Sequence, residues 1–335
     1  MLVFVARRLF ELVFVVFGMS LMMFLITHAL PGDPARVAAG GVEATAEMIR
    51  IAGEELGLNR PLPVQYGLYV QRVLTGDFGR SIVTRRRILD DLREYFPATA
   101  ELTLAAVVLA CVVGVPLGMV SALRRGKLVD HVTRVVALFG ISMPIFWLGL
   151  VAILLFYVWL GLLPPGGRID YVLMPPARVT GLYTIDSLLA GDLERFGSAL
   201  KHLVLPAIVL SSVSLAFIAR MTRSCMLEVL SEDYVRTARA KGVAERGVVG
   251  KHALRNAAVP IVVTIGLQLG TLMGGAVLTE TIFTWPGVGT YAIAAVENQD
   301  YPALMGFAVA FSLLYAVINM AVDVSMTWLN PRVSV

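Results

Sequence analysis

Long apolar runs separated by short, strongly charged stretches restrict the fold of this 335-residue chain more than any other feature. Six runs stand out: about Leu9–Leu30, Leu102–Leu123, Val135–Leu163, Leu203–Ala219, Pro260–Thr279 and Pro302–Leu329. The second to fifth contain no Asp, Glu, Lys or Arg. A hydrocarbon core about 30 Å thick needs roughly 20 helical residues, so each run reads as a membrane span. Composition agrees: the chain is 57% hydrophobic and 16% charged, where a soluble domain carries about a quarter charged residues. The expected fold is all-α: a polytopic membrane protein with six transmembrane helices.

The third run is long enough to tilt. The fourth is the shortest and contains Pro206. Pro116, Pro144 and Pro206 fall inside spans, where neighbouring helices can satisfy the freed carbonyls. Arg7 and Arg8 before the first run resemble the start of a signal peptide, but the run is longer than a signal's apolar region and reads as an uncleaved anchor. Cys111 lies in an apolar run and Cys225 just past one, which speaks against a disulfide framework or zinc site.

Basic residues set the orientation. Arg124, Arg125, Lys127 and Arg134 lie between spans two and three. Arg220, Arg223, Arg236, Arg239, Lys241, Arg246, Lys251 and Arg255 lie between spans four and five. The loop between spans five and six has no Lys or Arg. The positive-inside rule then puts both termini in the cytoplasm; Arg85, Arg86 and Arg87 lie in a long outer segment, and long segments cross largely regardless of charge. The net charge of +4 follows these local clusters and gives no sign of a nucleic-acid partner.

Two outer segments are too long to be plain connectors. Residues 31–97 hold a polar helix over about Ala44–Leu56, ended by Gly57, and an amphipathic stretch Val64–Leu74. Residues 161–201 open with Pro164-Pro165-Gly166-Gly167 and end in an amphipathic piece, Ile185–Leu200. They read as an external collar. The chain is partitioned accordingly into 1–97, the first span plus an external helical subdomain, and 98–335, a five-helix core.

Within that core, residues 233–260 form a basic loop with helical periodicity. Tyr234, Ala238 and Gly242 fall at i, i+4 and i+8, on one helix face where small residues admit another backbone. Gly242 can end that helix in the left-handed conformation. Glu245 suits the start of the next helix, which continues as a basic helix over Arg246–Ala258. Charge alone implies only contact with anionic membrane lipid; the ordered small-residue face points to a rigid docking knob.

Gly114 and Gly118 in span two, and Gly266, Gly270 and Gly274 in span five, form stripes for close helix packing, with a partner subunit as one candidate seam. Gln268, Thr271, Ser211 and Ser214 are candidates for lining a pore, with a helix–helix hydrogen bond the equal alternative for Gln268. No G-x-x-x-x-G-K-[ST] run occurs; Gly126-Lys127 and Gly250-Lys251 lack its upstream glycine. His28, His131, His202 and His252 are scattered and read as structural, so no metal site is expected.

Nearly the whole chain resembles the permease subunits of the dipeptide/oligopeptide class of ABC importers. The resemblance rests on Leu30-Pro31-Gly32-Asp33-Pro34, Gly76-Asp77-Phe78-Gly79-Arg80-Ser81, His202-Leu203-Val204-Leu205-Pro206, the loop Tyr234–Pro260, Glu280-Thr281-Ile282-Phe283 with Trp285-Pro286-Gly287, Asp300-Tyr301-Pro302 and Asn330-Pro331-Arg332. The loop has Arg236-Thr237-Ala238 where the family's eponymous motif is Glu-Ala-Ala. The resemblance implies a type I importer permease fold. It implies a second homologous permease, two cytoplasmic ATPase subunits that bind ATP and Mg, and an extracytoplasmic solute-binding protein. Tyr234, Arg236, Ala238, Lys241, Gly242, Glu245, Arg246, His252, Arg255 and Asn256 would then couple to an ATPase, with no cofactor on this chain. The expected function is a non-enzymatic permease subunit of an importer in the bacterial or archaeal inner membrane. Its expected substrates are peptides, or otherwise glutathione, nickel complexes or oligosaccharides. A self-contained secondary transporter is the competing reading; it calls for an internal repeat and charges at mid-membrane, and neither is evident here.

Overall fold

A computed structural model describes residues 2–29 and 33–329. Leu30-Pro31-Gly32, Asn330-Pro331-Arg332 and the side chains of Arg7, Arg8 and Asp323 lie outside the described ones. The helices are α1 (Leu2–Ala29), α2 (Pro34–Ala38), α3 (Ala46–Glu55), α4 (Leu62–Leu74), α5 (Ile88–Leu123), α6 (Leu128–Ser142) and α7 (Ile145–Ile153). They continue with α8 (Tyr183–Leu189), α9 (Leu193–Leu230), α10 (Asp233–Ala240), α11 (Glu245–Gly247), α12 (Arg255–Ile282), α13 (Val288–Glu297) and α14 (Tyr301–Leu329). Two π-helical stretches, Leu154–Trp159 and Val248–Leu254, extend α7 and join α11 to α12.

Among the described residues, five helical stretches are long and apolar enough to cross a membrane: those in α1, α5, α9, α14 and the continuous run Glu245–Gly274. The third expected span is not one straight tilted helix. It is the pair α6 and α7, bent by 104° between Ser142 and Ile145. Pro144 is the cause. The residue before a proline is pushed to extended backbone, and Met143 sits at φ −81°, ψ 129°. Pro206, by contrast, lies inside unbroken α9. That helix has 38 residues and is the longest described, although its apolar run is the shortest. Apolarity marks only the part that fits lipid, and Arg220 and Arg223 simply continue the helix beyond it.

The chain divides into two compact units, Met1–Pro97 with Gly287–Val317 and Ala98–Pro286 with Ile318–Val335. In the first, Ile88, Leu92, Val288, Tyr291, Ala295, Ala303 and Leu304 form the apolar centre. Gly306 lies so close to Ile88 that a Cβ would meet its Cγ2 at 2.7 Å. Buried Asp300 accepts from Ala303 N at the start of α14 and from Ser81 Oγ and Val83 N, pinning the preceding loop. Helix α3 is capped by Thr45 and closed by Gly57 at φ 72°. Leu58 N to Gly53 O and Gly57 N to Glu54 O complete the paired bonds of a glycine C-cap.

In the second unit α9 is the central helix, with buried side chains from Ala199 to Met226. The small residues of span two face it: a Cβ on Gly118 would lie 2.5 Å from Ala219 O, and one on Gly114 3.0 Å from Leu215 O. A Cβ on Gly140 of α6 would likewise lie 3.0 Å from Ser212 O. Gly114 and Gly118 are thus occupied by their own chain, which corrects their candidacy for a seam with another subunit. Gly266 faces Val322 of α14, Gly270 is buried and Gly274 is exposed, so the span-five stripe does not share one contact face. The amphipathic piece expected over Ile185–Leu200 is two helices, because Gly191 turns at φ 68° and Asp192 caps α9 through Arg195 N.

Candidate functional site

Helix α10 ends in the geometry its sequence demands. Gly242 sits at φ 80°, Val243 N donates to Ala238 O and Gly242 N to Arg239 O. This is the two-bond cap that a left-handed glycine permits. Arg239 then grips Glu245 through Nε and Nη2 at 3.1 and 2.7 Å, closing the turn. The hydrogen bond to the carboxylate raises the guanidinium pKa. Both groups are largely exposed, so solvent screens the pair and it orders the turn more than it stabilises the fold.

The knob is fixed from below by an apolar cluster of Val235, Ala238 and Val248, with Val229 and Leu230 at its edge. Ala238 is therefore buried within the chain, and the backbone it admits is the chain's own π-helical stretch; this corrects Ala238 alone as a surface for another protein, while Tyr234 and Gly242 on the same face stay exposed. Tyr234 Oη accepts from Asn256 Nδ2, which also donates to His252 O, so the first turn of α10 is tied to α12. Arg236, Lys241, Arg246, Lys251 and Arg255 are exposed. The result is a rigid helix–turn–helix that presents basic side chains on a packed base.

The polar candidates of the spans separate. Ser214 is buried and donates to Gln268 Oε1 at 2.8 Å, joining α9 to α12. Ser211 donates to Ile208 O and Thr271 to Leu267 O, each within its own helix. Thr271 is exposed on the surface of this chain.

Two buried ionic clusters escape sequence reading. Glu101 and Arg168 are 5% and 8% exposed, and Arg168 Nη2 donates to Glu101 Oε2. Thr184 N and Oγ1 donate to the other carboxylate oxygen, and the guanidinium lies 3.7 Å from the Tyr183 ring centre. Gly167 N donates to Phe283 O, so with the bonds of Arg168 and Thr184 to Glu101 residues 161–192 are fastened to the end of α12 and to α5; Trp285 Nε1 to Ala98 O ties those two anchors together. Asp186 organises the same segment: burial pushes its pKa up, but Thr180 Oγ1 and the N–H groups of Thr180, Gly181 and Val179 outweigh this and hold it below the usual carboxylate range. The stabilisation is present at neutral pH and fades as pH falls through that lowered value. In the second cluster Asp130 accepts from Arg223 Nε and Nη2, Ser121 Oγ and Gly126 N. Arg223, counted by sequence among the loop charges, is an internal strut of α6 and α9. Glu101 adjoins the edge of an apolar run, a weak signal; Arg168 sits in a Gly- and Pro-rich loop and carries none.

Membrane-length helices with a rigid basic knob between two of them fit a component of a transport machine. The chain belongs to the family described as binding-protein-dependent transport system inner membrane component, matched over residues 114–335, with that family's N-terminal region matched over 1–103. It is therefore a multi-pass inner-membrane permease component of a binding-protein-dependent ABC importer. It is 49% identical to the "Probable D,D-dipeptide transport system permease protein DdpB" of Escherichia coli (strain K12), covering 98% of this chain and 96% of that one. It is 47% identical to the "Di/tripeptide transport system permease protein DppB" of Pseudomonas aeruginosa (strain UCBPP-PA14), covering 99% of both. A glutathione transport system permease protein, GsiC, of Escherichia coli O1:K1 / APEC is 39% identical over 99% of both chains. The fold is shared with a solved structure of the MetNI methionine ABC transporter in inward-facing conformations (TM-score 0.52, 18% identity, 70% of this chain and 93% of that one).

Proposed function

We propose that this permease carries dipeptides, paired with a second homologous permease, above two cytoplasmic ATPases and beneath a solute-binding protein. The carrying observation is identity of 43–49% along nearly the whole chain to permeases named for dipeptides and di/tripeptides. Glutathione, itself a short peptide, is the second reading, because one relative at 39% is named for it. The knob 233–256 transmits ATPase closure to α9 and α12 as a rigid-body motion, and its internal packing supports that role. ATP and Mg belong to the partner ATPases, and this chain needs no cofactor of its own.

Both termini face the cytoplasm in this arrangement. Cysteine labelling from outside is expected to modify a probe at Gly40 and spare one at Gly247; the reverse pattern overturns the orientation. Substrate is tested by uptake into proteoliposomes holding the complete system. Labelled dipeptide accumulates with ATP, and excess unlabelled dipeptide competes better than glutathione. Stronger competition by glutathione reverses the assignment.

A further inference from the structure

Within the first unit a basic basin adjoins an apolar groove, and the two share Leu89 and Arg93. The basin, about 680 Å³, is lined by Arg72, Arg80, Arg87 and Arg93 against only two carboxylates, Asp77 and Asp90. Arg80 and Arg87 face each other across an isolated antiparallel bridge. Like charges directly opposite are destabilising, and both side chains are exposed. Among the ion pairs of the described residues, neither takes part in one. The arrangement therefore asks for an anion. The groove, about 340 Å³, is otherwise lined by aliphatic and aromatic side chains, with Leu92 and Phe96 of α5 opposite Phe307, Phe311 and Val317 of α14. From Phe307 to Val317 it follows α14 for roughly 15 Å, about half the 30 Å hydrocarbon core.

We infer that basin and groove together bind one anionic phospholipid, its phosphate on Arg80 and Arg87 and an acyl chain along α14. The occupant is fixed by joining both chemistries in one place. A soluble phosphate has no use for the groove, and an acidic protein surface has none for a slot of acyl-chain length. Lipid in the groove would cover apolar side chains of two helices that otherwise face the bilayer as separate ridges.

Native mass spectrometry of the full chain in detergent, titrated with dioleoylphosphatidylglycerol, tests the assignment. Each basic residue near an anionic lipid contributes about fivefold in affinity, so Arg80→Ala/Arg87→Ala is expected to weaken the tightest lipid by about twenty-fivefold. Arg80→Lys/Arg87→Lys, which keeps both charges, is expected to recover most of it and to control for folding. Ala310→Phe, which fills the groove, is expected to weaken the lipid while leaving glycerophosphate binding unchanged. Unaltered tight-lipid affinity in both the alanine pair and the groove variant overturns the inference. If the lipid is unaffected but the alanine pair abolishes binding of the purified solute-binding protein, the basin belongs to that protein. If glycerophosphate binds as tightly as the lipid, the site is one for free phosphate.

Discussion

Glu101→Ala is expected to destabilise the protein by about 3–5 kcal/mol, the usual cost of removing one member of a buried ion pair. The change leaves Arg168 only 8% exposed, with Gly181 O as its remaining hydrogen-bond acceptor. It also removes the acceptor of Thr184 N and Oγ1. Packing of the guanidinium on Tyr183 survives, but a cation over a ring is a weaker partner than a carboxylate. Thermal unfolding in detergent should show a midpoint several degrees lower. Glu101→Met/Arg168→Met removes both charges and fills similar volume, a replacement that is often neutral or stabilising. It should regain most of the loss. An unchanged midpoint for Glu101→Ala would show that the pair does not hold residues 161–192 to the helices.

That pair also marks the limit of sequence reading. The spans were legible because apolarity over about 20 residues is a local property, and a membrane tolerates few other solutions. Glu101 and Arg168 are 67 positions apart, and only folding brings them together. Pro116, Pro144 and Pro206 are indistinguishable as prolines in apolar runs. Only at Pro144 does the preceding backbone turn extended and break the helix. The glycines of span two were recognisable as a packing stripe, yet the packing partner was not. A small residue shows that something approaches closely, not that it is α9 of the same chain. The turn at residues 242–245 is legible, since Gly242 and Glu245 carry local rules. Burial of Ala238 is not legible, because the π-helical stretch that covers it has no sequence signature.

Burial of Ala238 gives the second large expected effect. Ala238→Asp places an unpaired carboxylate against Val235 and Val248, both fully buried. Several kcal/mol of desolvation is more than so small a cluster can offset. The knob should unfold locally while α9 and α12, held by their own packing, keep the protein in the membrane. Ala238→Ser retains the size, and its hydroxyl can bond a carbonyl one turn back, so it should behave almost as wild type. The most direct measurement is ATP hydrolysis by the complete reconstituted importer, with and without dipeptide-loaded binding protein. Wild type and Ala238→Ser should be stimulated, and Ala238→Asp should lose at least tenfold of that stimulation with the chain still membrane-inserted at normal abundance. Wild-type stimulation in the Ala238→Asp importer would contradict coupling through the knob.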